Sequence, residues 1–196
     1  LTIATPTATD WLSGTSGTAT GTASDVSSAV TLVEYRMDAN GDGDYADGGV
    51  EDYVAASGTT SWNATLNIAA LGEGARTLQV RAADQAGNTF VATRGFGVDL
   101  SAPTSTVTTP GSANAAFSIS GDAGDGNELA SVEITQQKDA GTPVTVFSGS
   151  LSTTSDSWTL SDLPRDPNAT DPTDPLTLLV DTGVYTYDVT VTDVAG

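Results

Sequence analysis

The sequence predicts an all-β chain of two tandem β-sandwich domains, and three observations carry that prediction. Short alternating runs rich in Thr and Val recur roughly every 8–15 residues, bounded by Gly, Asp, Ser and Pro. A sandwich of short strands needs that spacing, because alternate side chains face core and solvent and each reversal needs a turn former. No stretch sustains the period of an amphipathic helix. The chain also repeats itself. Val80-Arg81-Ala82-Ala83-Asp84-Gln85-Ala86-Gly87 reappears as Val189-Thr190-Val191-Thr192-Asp193-Val194-Ala195-Gly196, Ser61-Trp62 as Ser157-Trp158, and Ala4-Thr5-Pro6-Thr7 as Ser101-Ala102-Pro103-Thr104, in the same order in both halves. Ala19-Thr20-Gly21-Thr22-Ala23-Ser24-Asp25 aligns with Ala116-Phe117-Ser118-Ile119-Ser120-Gly121-Asp122. The 196 residues hold two domains of about 100 residues each, with bounds at 1–99 and 100–196.

In the first copy the alternation places strands near 4–9, 17–24, 30–37, 50–56, 60–68, 76–83 and 89–98. In the second they fall near 104–109, 114–120, 130–137, 143–149, 155–160 and 184–192. Tyr185, Tyr187, Val189 and Val191 alternate with Thr186, Asp188, Thr190 and Thr192, so the first set faces the core. Asp181-Thr182-Gly183-Val184-Tyr185 has the spacing of a tyrosine corner. Trp62 and Trp158 occupy equivalent places on the fifth strand of each copy and read as core. Val98-Asp99-Leu100-Ser101-Ala102-Pro103 is a short linker stiffened by Pro103. The second copy carries a Pro- and Asp-rich insertion at 162–181, a loop or polyproline-like arm, and stops before its last strand. A start at Leu1 without Met and the stop at Gly196 read as a fragment of a longer protein.

Composition narrows the function. Net charge is −19, from 25 acids against 6 bases, and 20 of the acids are Asp. Nucleic acid and anionic membrane surfaces are poor partners, because both need clustered Lys and Arg; cations are the natural ones. The alternative origin of this charge is solubility or adaptation to high salt, as in a haloarchaeal surface protein. There is no Cys and no His, which removes thiol nucleophiles, His-based triads, disulfides and the usual zinc and haem ligands. A secreted β protein without disulfides needs another cross-link, and calcium is the obvious one. No transmembrane run is present.

The sharpest motif is Asp38-Ala39-Asn40-Gly41-Asp42-Gly43-Asp44-Tyr45-Ala46-Asp47. Oxygen ligands at its first, third and fifth positions, with Gly at the sixth, match the first half of a calcium loop. Short side chains on a tight turn can aim several hard oxygens at one ion. The Glu expected at position 12 is replaced by Gly49, so Asp47, Glu51 or Asp52 would have to complete the set. The plain alternative is a polar hairpin loop, although its crowded acids would repel one another without a cation. Lys138-Asp139-Ala140-Gly141-Thr142 takes its place in the second copy as an ordinary turn. A second motif, Asp84-Gln85-Ala86-Gly87-Asn88, echoed at Asp193-Val194-Ala195-Gly196, lies at the turn after the sixth strand. Turn chemistry and a metal shared with a neighbouring domain both account for it.

These segments, with the linker Val98–Thr104 and Leu71-Gly72-Glu73-Gly74-Ala75-Arg76-Thr77-Leu78-Gln79-Val80, resemble tandem bacterial immunoglobulin-like repeats of large calcium-dependent cell-surface adhesins. The resemblance implies two tandem immunoglobulin-like β-sandwich domains in an extracellular stalk, active in adhesion and biofilm formation, monomeric, and stiffened by Ca2+ between neighbouring repeats.

Alternating strand direction then decides which loops share an end. The 38–52 loop and Glu73 fall at the C-terminal end of the first domain, toward Asp122, Asp125, Asn127, Glu128 and Asp193 of the second. Asp25, Asp84 and Asn88 face a preceding repeat. An interdomain Ca2+ is expected on Asp99 with some of Asp122, Asp125 and Asp193.

The leading expectation is a non-catalytic extender segment. Its rivals are a ligand-binding module for carbohydrate, ice or host protein that uses the insertion, and an accessory domain of a secreted hydrolase. Asn63-Ala64-Thr65 and Asn168-Ala169-Thr170 fit the glycosylation pattern as chance matches in a Thr-rich chain.

Overall fold

The structure, a computed structural model, describes residues 1–111, 113, 115–164 and 183–196. The chain divides into two compact units, Leu1–Leu100 with Ala195 and Ser101–Val194 with Gly196. Both are all-β, with short 3-10 turns in the first.

The first unit has eight strands: β1 (Thr2–Thr5), β2 (Trp11–Leu12), β3 (Ser16–Thr22), β4 (Val30–Asp38), β5 (Val54–Ala55), β6 (Ser61–Asn67), β7 (Gly74–Asp84) and β8 (Thr89–Val98). One sheet has the order β1-β3-β6, the other β2-β8-β7-β4-β5. The period-2 pattern carries directly into burial. On β6, Trp62, Ala64 and Leu66 point inward between exposed neighbours, and on β7, Leu78, Val80 and Ala82 point inward between half-buried ones. They meet Ile3, Ala19, Val33, Met37, Phe96 and Val98 in one apolar core. Tyr35 packs against that core from β4, and its hydroxyl donates to the Thr65 carbonyl on the opposite sheet at 2.8 Å.

The second unit has β9 (Thr104–Ser105), β10 (Phe117–Gly124), β11 (Leu129–Lys138), β12 (Val144–Ser150), β13 (Ser155–Leu163) and β14 (Tyr185–Asp193). Its sheets are β13-β10-β9 and β12-β11-β14. Ile119, Val132, Ile134, Val146, Trp158, Leu160 and Leu163 form the core, with Phe117, Tyr187, Val189 and Val191 packed against it. Phe117 and Tyr187 meet edge to face, centroids 5.9 Å apart. The expected inward set on β14 therefore faces the core at Tyr187, Val189 and Val191. Residues 165–182, which include most of the insertion, Asn168 and the first half of the tyrosine corner, lie outside the described residues.

The same device locks both units. Trp62 is 1% exposed and lies across Gly21, its register partner on β3; Trp158, 6% exposed, lies across Gly121 on β10. A Cβ on Gly21 would sit 2.0 Å from the Thr2 carbonyl oxygen and 2.5 Å from the Trp62 ring. On Gly121 the corresponding distances are 1.9 Å, to the Thr106 carbonyl oxygen, and 2.5 Å, to Trp158. Glycine is needed at both positions because backbone and indole occupy the space of a side chain.

This pairing corrects the sequence alignment of β3 with β10. Gly21 corresponds to Gly121, so Ala23 matches Ala123 and Asp25 matches Asp125, not Asp122. Asp122 is a strand residue in β10, opposite Ser157. The small, polar Ser120-Gly121-Asp122-Ala123-Gly124 run has weak intrinsic strand propensity; the indole packed on it makes it a strand.

The first strand also differs from its expected span. It divides into β1, antiparallel to β3, and β2, parallel to β8 on the other sheet. Pro6 has no N–H to continue the ladder, and the Thr7 N–H turns to the Asp10 carboxylate at 2.9 Å. In place of a strand at 50–56 there is a 3-10 turn at Gly49–Glu51 followed by the two-residue β5.

Candidate metal centre

The 38–52 loop leaves the five-stranded sheet at the end of β4 and returns at β5. Two of its carboxylates are turned inward. Asp38 is 3% exposed; its Oδ1 accepts the Gly41 N–H at 2.7 Å and its Oδ2 the Gly43 N–H at 3.0 Å. Gly41 and Gly43 have φ of 80° and 89°, a region that side chains disfavour. Glu51 is 1% exposed; its Oε1 accepts the Ala39 N–H at 3.0 Å and its Oε2 the Asp47 N–H at 2.7 Å. A buried carboxylate is costly unless hydrogen-bonded; Asp38 folds the first half of the loop around itself, and Glu51 ties its start to its end.

The oxygen-bearing residues between them, Asn40, Asp42, Asp44 and Asp47, are exposed. Asp42 N–H donates to Asn40 Oδ1 at 2.9 Å, Asp44 N–H to Asp42 Oδ1 at 3.0 Å, and Ala46 N–H to Asp44 Oδ1 at 2.9 Å. These are successive Asx turns, the local habit of Asp and Asn. The Asn40 amide nitrogen bridges Asp42 Oδ2 at 2.9 Å and Asp47 Oδ2 at 2.8 Å. The Asp44 N–H first, and the Asn40 amide second, hold the Asp42 carboxyl below the usual range. Asp47 is pushed up, chiefly by the Glu51 charge, then by burial and by Asp42, Asp44 and Asp38. The loop thus gathers oxygen donors in a field of like charge, although no three of its carboxylates bring oxygens within 4.8 Å of one another.

Two further carboxylates meet at the other end of the first unit. Ser28 Oγ donates to Asp84 Oδ2 at 2.8 Å and lies 3.4 Å from Asp25 Oδ1. Asp25 Oδ1 also accepts the Ser27 and Ser28 N–H groups, both at 2.8 Å. These bonds lower the Asp25 pKa, while nearby Asp84 opposes them. Asp84 accepts the Asn88 side-chain amide at 2.9 Å and the Asn88 N–H at 2.8 Å. Its pKa falls from the ordinary 3.8 to about 2, through the Asn88 side chain first and Ser28 second.

A pKa depressed on folding stabilises the native state above the unfolded value and loses that contribution as pH falls through the folded one. Asp84→Asn is therefore expected to flatten the acid dependence of stability between pH 3.8 and about 2. Urea melts across that window check it, and an unaltered slope counts against the assignment.

The second unit repeats the pair. Asp125 Oδ1 accepts the Asn127 N–H at 2.7 Å, as Asp25 accepts Ser27, and Asp193 Oδ1 accepts the Gly196 N–H at 2.8 Å. Asp125 and Asp193 each bring an oxygen within 4.8 Å of the other. Asp122 stands apart from them on β10, accepting Ser157 Oγ at 2.9 Å.

At the opposite end of the first unit, Glu73 Oε1 accepts the Leu100 N–H at 3.2 Å, and Asp99 follows β8 with its N–H on the Leu12 carbonyl at 3.0 Å. Lys138–Thr142 is a tight turn closed by Gly141 N–H on the Lys138 carbonyl at 2.9 Å.

Ser28 and Arg76 escaped the sequence reading. Arg76 is buried, donating to the Ala75 carbonyl at 2.7 Å and the Glu73 carbonyl at 2.8 Å. A Cβ on Gly41 or Gly72 would meet its guanidinium. The available signal was a lone Arg preceded in the chain by glycines in two acidic turns.

No protein-family model matches the chain, and no curated protein matches it in sequence. Solved structures do. One is a tetra-tandem repeat in the extending region of a large adhesion protein, at 20% identity over 90% of this chain and 44% of that one, TM-score 0.32. Another is a 1.5-MDa bacterial ice-binding adhesin, at 15% identity over 94% and 60%, TM-score 0.38. A third is a Ca2+-stabilised adhesin with which an Antarctic bacterium reaches out and binds ice, at 16% identity over 93% and 45%, TM-score 0.36. The chain spans between 44% and 60% of the length of these structures. Among the described residues no helix is long and apolar enough to cross a membrane.

Proposed function

We propose that this chain is a non-catalytic extender segment of an extracellular, cell-surface adhesin, in which Ca2+ held by aspartates at the domain ends stiffens each repeat against its neighbour. The observation that supports this most directly is internal. Two turns that are far apart in sequence bring the same pair of carboxylates together in both copies, Asp25 with Asp84 and Asp125 with Asp193. Like charges placed together twice call for a cation, and Ca2+ takes six to eight hard oxygens, which carboxylates, amide carbonyls and water supply.

In this reading Asp125 and Asp193 bind an ion together with Asp99 of the connecting segment. Asp25, Asp84 and Asn88 do the same toward a preceding repeat. The 38–52 loop offers a separate site from Asp38, Asn40, Asp42, Asp44, Asp47 and Glu51. There, a half-turn of the Asn40 amide would present its oxygen where its nitrogen now faces Asp42 and Asp47. The bound ion supplies positive charge and a rigid cross-link, with no covalent chemistry. Partners are neighbouring repeats of the same chain, and the acidic surface disfavours nucleic acid.

An ion that binds only the folded state raises stability by about 2.7 kcal/mol at a hundred times its Kd. We expect millimolar Ca2+ to raise the melting temperature and to lengthen and narrow the particle in small-angle scattering relative to EGTA. Asp125→Asn combined with Asp193→Asn is expected to abolish the scattering change. Identical melting and dimensions with and without Ca2+ would sink the proposal.

A further inference from the structure

We infer that Arg36 is a positioning residue for the acidic loop: its guanidinium, held between Tyr45 and Tyr53, clamps the middle and the exit of the 38–52 loop to the outer face of the five-stranded sheet. The inference rests on the proposed calcium role of that loop only for its consequence, not for the clamp itself.

The register puts the parts on one face. Arg36 on β4 lies opposite Gln79 on β7, and Glu34 opposite Arg81, two residues along the same strands. The Arg36 guanidinium carbon is 4.0 Å from the Tyr45 ring centroid and 4.4 Å from that of Tyr53. Tyr45 comes from the middle of the acidic loop and Tyr53 from just after its 3-10 turn, so one cation stacks on both limbs.

The stack is anchored from below. Arg36 Nε donates to Gln79 Oε1 at 2.9 Å, and the Tyr53 hydroxyl donates to the same oxygen at 2.6 Å. Arg81 lies 4.0 Å from the centroid of the Tyr53 ring and is paired with Glu34 Oε2 at 2.5 Å. Two of only six basic residues in the chain stand in this row.

A metal loop built of carboxylates has an intrinsic difficulty, because without the ion its charges push it open. A guanidinium repels a second cation, and both tyrosine rings are already stacked on Arg36, so the row is no part of a ligand shell. Its effect is to hold the backbone that carries the ligands. Arg suits this better than Lys, because a planar guanidinium stacks on two rings at once while an ammonium is a strongly hydrated point charge.

The test is amide hydrogen exchange on the whole chain in EGTA, read at Gly41, Gly43, Ala46 and Asp47, whose N–H groups the loop carboxylates hold. Arg36→Ala should speed exchange there roughly tenfold, the loss of two cation–π contacts, with core amides of β7 unchanged. Arg36→Lys keeps the charge and should recover less than half of that protection.

Tyr45→Leu removes the contact from the loop side, leaves the sheet intact, and should reproduce the effect if Arg36→Ala folds poorly. Wild-type exchange rates in both Arg36→Ala and Tyr45→Leu would overturn the clamp; so would full protection in Arg36→Lys, which would leave charge alone as the cause. A Ca2+ titration of the wild type separates the two ideas. If Ca2+ fails to protect these amides, the loop is no calcium site, and the clamp still stands or falls on the metal-free comparison.

Discussion

Gly21→Ala and Gly121→Ala are each expected to destabilise their own unit by about 3 kcal/mol, the upper end of what overpacking costs. The added methyl would have to share space with a carbonyl oxygen 1.9–2.0 Å away and with an indole ring at 2.5 Å. The ring could rotate only by opening the core, where Trp62 and Trp158 are almost wholly buried. The carbonyl could retreat only by breaking the pairing of β3 with β1 or of β10 with β9. For units of about 100 residues, 3 kcal/mol corresponds to a fall in melting temperature of roughly 12–24 °C.

Gly111→Ala, where a Cβ would meet nothing within 4 Å, is the control and should melt like the parent chain. Chemical melts of the three variants check this. Equal stability of Gly21→Ala and Gly111→Ala would mean that the indole does not rest on the strand as described.

Glu51→Ala should cost a similar amount through a different mechanism. Both Glu51 oxygens accept backbone N–H groups, from Ala39 and Asp47, in a position that is 1% exposed. Truncation leaves two donors unpartnered, and each such loss costs about 1–3 kcal/mol. Glu51→Gln keeps the shape and one acceptor but turns an NH2 toward the other donor, so we expect roughly half the loss.

The charge-neutral variant has a second signature. Because Glu51 is the main cause of the raised Asp47 pKa, Asp47 in metal-free Glu51→Gln should titrate lower, nearer the ordinary carboxylate value. Carbon-detected titration of the Asp47 carboxyl reads this. An unmoved midpoint would show that the Glu51 charge does not reach it.

Much of the fold was legible because it is written in local patterns. The alternation on β6 and β7 follows from the two-residue period of a strand, and turn residues bound β4, β7 and β8 within a residue or two of their predicted ends. The 38–52 loop was recognisable as a concentration of short oxygen-bearing side chains between glycines. Its interior was not legible. Asp38 and Glu51 look no different in sequence from Asp42 and Asp44. They turn inward because Ala39, Gly41, Gly43 and Asp47 present N–H groups with no strand partner, a fact of backbone path.

The amino-acid sequence alone determined that this protein is all-β, built as two copies, free of Cys and His chemistry, and acidic at its turns, since composition and period-2 patterning act over a few residues. The three-dimensional structure decided the true register of the copies, Gly21 with Gly121 and Asp25 with Asp125. It decided the division of the first strand between two sheets, the meeting of Asp25 with Asp84 through Ser28, and the stacking of Arg36 between two tyrosines. Each depends on pairing between strands or turns well separated in the chain, as Arg36 on β4 with Gln79 on β7. A single-residue slip in strand pairing would abolish each of them while leaving the local pattern unchanged.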